Sequence, residues 1–79
     1  MLAKRVGTTV RRLRLERGHS QASFAQLCRL ERAYMGIVER GEVNISVRTA
    51  FKIARGLGLD LTAFFCEVER LPKVPSTFR

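Results

Sequence analysis

The sequence predicts an all-α domain built from five helices. Three observations predict it. Apolar residues recur at the helical period, serines suited to capping precede two of the periodic segments while glycines close three, and no stretch of useful length alternates at period two.

In the first segment Val6, Val10 and Leu13 fall at i, i+4 and i+7, Lys4, Arg5, Arg11, Arg12 and Arg17 take the other faces, and Gly18 closes the helix. Ser20 caps a second helix over about residues 21–28, with His19 and Phe24 at the two positions of a hydrophobic staple. A third helix follows Glu31, turns Tyr34, Met35 and Val38 inward, and stops at Gly41 with Arg40 in its last turn. Ser46 caps a fourth, whose inward residues are Ala50, Phe51, Ile53, Ala54 and Leu57 and whose end is Gly58; a fifth spans about residues 61–69. Residues 43–47 could pass for a short strand in isolation, but their place between two capped helices favours a loop. Pro72 and Pro75 mark a loose tail, so the domain is expected over residues 1–71 and a flexible extension over 72–79.

Seventy-nine residues make one domain with a modest core, which self-association would supplement, and too little chain for a catalytic cleft between two lobes. Fifteen Lys and Arg against seven Asp and Glu leave a net charge of +8, which favours a polyanionic partner such as nucleic acid or an acidic membrane face. Cys28 and Cys66 lie far apart without a C-x-x-C pairing, and His19 is the single histidine. The expectation is no metal site, no cofactor, and two reduced, packed thiols in a cytoplasmic protein. No apolar run approaches the ~20 residues needed to cross a bilayer, and residues 1–7 lack the apolar stretch of a signal peptide. An enzyme is not expected, because His19 has no triad-like or metal-like company.

The informative stretch runs from Gln21 to Val38. It places apolar or small residues at Phe24, Ala25, Cys28, Leu30, Met35 and Val38, with polar residues mostly between. Two helices crossing steeply through a tight turn approach closely, so Ala25 must be small, Leu30 plugs the corner, and Met35 and Val38 anchor the second helix. Its remaining face is left free.

Through Ser20-Gln21, Phe24-Ala25, Arg32-Ala33-Tyr34-Met35, Glu39-Arg40-Gly41 and the run from Ile53 to Gly58, the chain resembles the helix-turn-helix family of phage repressors, Cro proteins and their bacterial relatives. The resemblance covers about residues 6–69. It implies a compact, lambda-repressor-like five-helix domain with the helix-turn-helix at helices 2 and 3, acting as a homodimer on a near-palindromic site in double-stranded DNA to regulate transcription. Arg14-Leu15-Glu16-Arg17-Gly18, Arg32-Ala33-Tyr34, Glu39-Arg40 and Phe64-Phe65 look, more narrowly, like the controller proteins of restriction-modification systems.

The resemblance also implies roles. Arg32, Ala33, Gly36 and Ile37 would face the bases, with Arg32 placed for a bidentate contact to guanine. Gln21, Tyr34, Arg40, Asn44 and Arg48 would meet the DNA backbone, Gln21 also bracing helix 3. Arg14 and Glu39 match a salt bridge joining helix 1 to helix 3. Leu59, Leu61, Phe64, Phe65 and Val68 are more apolar residues than one small core absorbs; Phe64 would face the core, and Leu59, Leu61, Phe65 and Val68 would lie at the dimer contact.

Three departures stand out. Arg29 replaces the glycine common in the turn, so either the turn avoids a positive φ or it accepts strain. Gly36 and Ile37 are unusual on a groove face, since glycine lowers helix propensity by ~1 kcal/mol. Glu42 and Val43 stand where basic or polar loop residues are common. The competing reading is an antitoxin-like protein-interaction module with secondary DNA binding, using Leu15, Leu27 and the 72–79 tail; a third is RNA or membrane binding through charge alone.

Overall fold

The computed structural model describes residues 2–70, in which five helices and no strand occur. These are α1 (Leu2–Glu16), α2 (Gln21–Leu27), α3 (Arg32–Glu39), α4 (Val47–Gly56) and α5 (Leu61–Arg70). α1 packs against α3 and α5, α2 against α3, and α4 against α5. The expected tail over 72–79 lies outside the described residues.

One apolar stripe from every helix meets in a single core. α1 contributes Val6, Val10 and Leu13, α2 Phe24 and Ala25, α3 Met35 and Val38, α4 Ala50, Ile53 and Ala54, and α5 Phe64 and Val68, with Cys28 and Leu57 from the helix ends. Ser20 and Ser46 act as expected: each side-chain hydroxyl accepts from the backbone N–H three residues on, that of Ser23 at 3.1 Å and that of Thr49 at 3.0 Å. The fifth helix has a cap of its own in Asp60, whose Oδ1 accepts from the Ala63 N–H at 2.7 Å.

The first four helices all end in the same left-handed closure. At the end of α2 the Leu30 N–H donates to Ala25 O and the Arg29 N–H to Gln26 O, and the same pair of bonds recurs around Gly18, Gly41 and Gly58. Three of the four left-handed positions are glycine; the fourth is Arg29, with φ of 61°. The turn therefore accepts the strain.

α1 and α3 cross at a backbone-to-backbone approach. A Cβ on Gly7 would collide with the carbonyl oxygen of Val38 and lie 2.6 Å from that of Glu39, so only glycine fits at the crossing.

Two expectations need correction. Phe51, expected inward, is 47% exposed. Ala50, Ile53, Ala54 and Leu57 already fill the buried stripe of α4, and Phe51 lies one residue, or about 100°, around the helix from Ala50; the Arg55 guanidinium sits 5.7 Å from its ring centre instead. Of the two thiols, Cys28 is buried as expected but Cys66 is exposed on the outer face of α5.

Candidate nucleic-acid interface

The helix-turn-helix is assembled from local signals. The His19 and Phe24 rings lie 5.6 Å apart, closing the staple across the Ser20 cap and fixing the entry of α2. Leu30 is half-buried against the core at the corner, and Ala25, 1% exposed, leaves room for the crossing of α2 and α3.

A hydrogen-bonded chain runs from the core to the free face of α3. The Arg14 side chain grips Glu39 with Nε to Oε2 at 2.7 Å and Nη2 to Oε1 at 3.0 Å, and its Nη1 donates to His19 O at 2.9 Å. Both partners are more than nine-tenths buried. Hydrogen bonding to Glu39 raises the Arg14 guanidinium above its ordinary value, outweighing the opposite effect of burial. Glu39 Oε1 also accepts from Gln21 Nε2 at 3.1 Å, and Gln21 Oε1 accepts from Arg32 Nη1 at 2.9 Å. The Gln21 amide thus has a carboxylate on its nitrogen side and a guanidinium on its oxygen side, which sets its orientation.

Arg32 and Ala33 are exposed at the start of α3, Ile37 is half-buried one turn on, and Tyr34 is half-buried with its ring against the core. Gly36 departs from expectation. It is buried rather than open to the groove, because the Arg40 and Gln21 side chains lie over it. At the end of α3, Arg40 Nε donates to Glu42 Oε2 at 3.0 Å, and Lys4 Nζ donates to Arg40 O at 3.1 Å, neutralising a helix-terminal carbonyl. Asn44 and Arg48 are exposed on either side of the Ser46 cap.

A helix-turn-helix family profile matches residues 10–64. The chain belongs to the helix-turn-helix family. Control protein C.MunI of Mycoplasma sp is 37% identical over 67 residues, spanning 84% of this chain and 90% of that protein. The restriction-modification controller protein C.AhdI of Aeromonas hydrophila has a solved structure that matches with a TM-score of 0.75 at 36% identity, covering 80% of this chain and 96% of that one. The structure of C.Esp1396I bound to a 25 base pair operator site matches with a TM-score of 0.81 at 27% identity, covering 89% and 92%. The five-helix fold is that of these controllers.

Several basic residues of this helix-turn-helix domain prove to be structural. Arg17 Nε donates to Leu57 O at the end of α4 and Arg5 Nη2 to Glu69 O at the end of α5, each 2.9 Å. Arg12 bridges Glu16 at 3.1 Å and Glu67 at 2.8 Å. The sequence placed these arginines on the polar faces of α1 without naming partners. The cation preference of a helix C-terminus was a usable signal, but which terminus lay beside α1 depended on the packing of distant helices.

Of the residues expected at a dimer contact, Phe65 is 37% exposed and Leu59 and Leu61 are half-buried against the core. Val68 is corrected: at 2% exposure it is a core residue, four positions from fully buried Phe64 and on the same face of α5. Among the described residues no helix is long and apolar enough to cross a membrane.

Proposed function

We propose that the protein is a homodimeric, sequence-specific DNA-binding regulator of transcription, of the kind that controls restriction-modification systems, working in the cytoplasm without catalysis. The observation that supports this reading best is the chain Arg14–Glu39–Gln21–Arg32. It holds an exposed arginine at the start of α3 by two buried charges and one oriented amide, so that a flexible side chain is offered already ordered. In this reading Arg32, with Ala33 and Ile37 beside it, meets base edges in the major groove. Gln21, Tyr34, Arg40, Asn44 and Arg48 meet phosphates and set the register, and Leu59, Leu61 and Phe65 join two copies across a two-fold axis. The likeness to C.MunI over most of both chains favours the controller over the antitoxin reading.

The test is selection of binding sites from a random duplex pool at near-physiological salt. The expected product is an inverted repeat with half-site centres about 34–36 Å apart. Arg32→Ala is expected to cost about 1–3 kcal/mol and to relax the preference at one position of each half-site. A pool that shows no enrichment, bound with an affinity that only falls with salt, would leave charge-driven binding as the explanation.

A further inference from the structure

Two residues of the recognition region are unaccounted for by that reading: a glycine in the middle of α3 and a carboxylate, Glu42, next to its C-terminal arginine. Arg32, Gly36 and Arg40 are spaced by four and therefore share one face of the helix. The Arg40 side chain folds back toward the helix N-terminus, the direction helical side chains favour. Its Nη1 comes to rest over Gly36, 3.2 Å from where a Cβ would stand, while Gln21 Oε1 lies 3.6 Å from the same point. Nε is held by Glu42 at 3.0 Å, with the two side chains 61% and 52% exposed.

An ion pair this exposed adds little to stability, but it determines what the guanidinium faces before DNA arrives. Glu42 occupies one of the five guanidinium N–H donors and sets a negative charge beside it, so carboxylate and phosphate compete for the same cation.

We infer that Arg40 is the phosphate arm of the recognition helix, that Gly36 is the notch in which it lies, and that Glu42 is an internal carboxylate that competes with a DNA phosphate for the guanidinium. The inference rests on the DNA-binding reading. Arg40 makes the contact; Gly36 and Glu42 are positioning residues that act through it. Glycine at 36 is then kept at a cost in helix propensity because a Cβ there would crowd the arm at 3.2 Å and make the guanidinium shift from its seat on the helix.

The experiment measures binding of the full chain to a random-sequence duplex pool by fluorescence anisotropy over a salt series, followed by site selection from the same pool. Arg40→Ala should reduce the slope of log affinity against log salt by about 0.9 per protomer and leave base preference unchanged, with Arg40→Lys restoring most of the slope. Glu42→Gln should tighten binding about 2- to 4-fold in the wild-type background and not at all in the Arg40→Ala background. Gly36→Ala should raise Tm by about 4 °C through its better helix propensity and yet bind more weakly, with part of the slope lost. That combination separates positioning from folding. Equal tightening by Glu42→Gln in both backgrounds would show that it acts through net charge alone and overturn its role as competitor. A Gly36→Ala variant that is more stable and binds as tightly as wild type removes the notch. A change of base preference in Arg40→Ala makes Arg40 a base reader and overturns the inference. Variants indistinguishable from a wild type that binds DNA overturn it while the proposed function stands, whereas a wild type that does not bind the duplex removes both.

Discussion

Glu39 joins the interior to the interface with a single carboxylate. It accepts three hydrogen bonds, two from Arg14 and one from Gln21, in a site almost closed to water. Removing one member of such a pair leaves the other buried and uncompensated, a loss of about 3–5 kcal/mol. Glu39→Ala is therefore expected to lower the urea midpoint severely, while the double change Arg14→Met with Glu39→Leu, which leaves no orphaned charge, should recover much of the loss but not the ordered Arg32. Arg29 shows the opposite balance. Its left-handed backbone is strained by roughly 1–2 kcal/mol relative to glycine, partly offset by the greater freedom glycine has when unfolded. Arg29→Gly should raise stability by about 0.5–1 kcal/mol in the same denaturation measurement. At Cys28, burial pushes the thiol up to about 11. Thiol labelling near pH 8 should find it unreactive until the protein unfolds.

Between helices, two contacts set how α1 holds the others. Gly7 lets α1 lie against the backbone of α3, and a methyl group there meets carbonyl oxygens that cannot swing aside. Gly7→Ala is expected to destabilise by about 1–3 kcal/mol despite the gain in helix propensity, the reverse of the stabilisation expected for the same change at Gly36. The second contact joins α1 to α5. The Arg12 guanidinium, hydrogen-bonded to Glu67, holds that carboxyl below its ordinary value of 4.5. A carboxyl lowered by folding stabilises the native state above its unfolded value, and the gain is lost as pH falls through the folded one. The Tm advantage of wild type over Glu67→Gln should accordingly be constant near neutrality and shrink on acidification below about pH 4.5. An advantage that grew in acid would contradict the contact.

The molecule as a whole has one continuous core and divides its charge between two tasks. Arg12 and Arg14 hold α1 to carboxylates that the net charge of +8 already subtracts, whereas Arg5 and Arg17 spend donors on the carbonyls of distant helix ends, so part of the uncompensated positive charge serves the fold. On α5, Phe64 and Val68 serve the core while Phe65 stands 37% exposed with its ring 5.1 Å from that of Phe64. Phe65→Asp should leave the monomer folded, since the side chain is not enclosed, but shift sedimentation toward monomer and weaken binding to a two-half-site duplex more than to a single half-site. Unchanged sedimentation at matched concentration would place the dimer contact elsewhere.

How much of this could be read before folding depends on the range of the interaction responsible. Helix period, the serine caps, the His19–Phe24 staple and the glycine closures all involve residues within about five positions of one another, so the sequence by itself determined the five helices, the starts of α2 and α4, the closures of α1, α3 and α4, and the all-α class. The Arg14–Glu39 pair was accessible only through family resemblance, because nothing local joins residues 25 apart. Only the tertiary structure decided that Val68 belongs to the core and Phe51 does not, and that Arg5 and Arg17 cap distant helices. Each of those outcomes turns on which side of a helix meets a neighbour, and a few tens of degrees of rotation, invisible in a hydrophobic pattern, is enough to exchange a buried position for an exposed one.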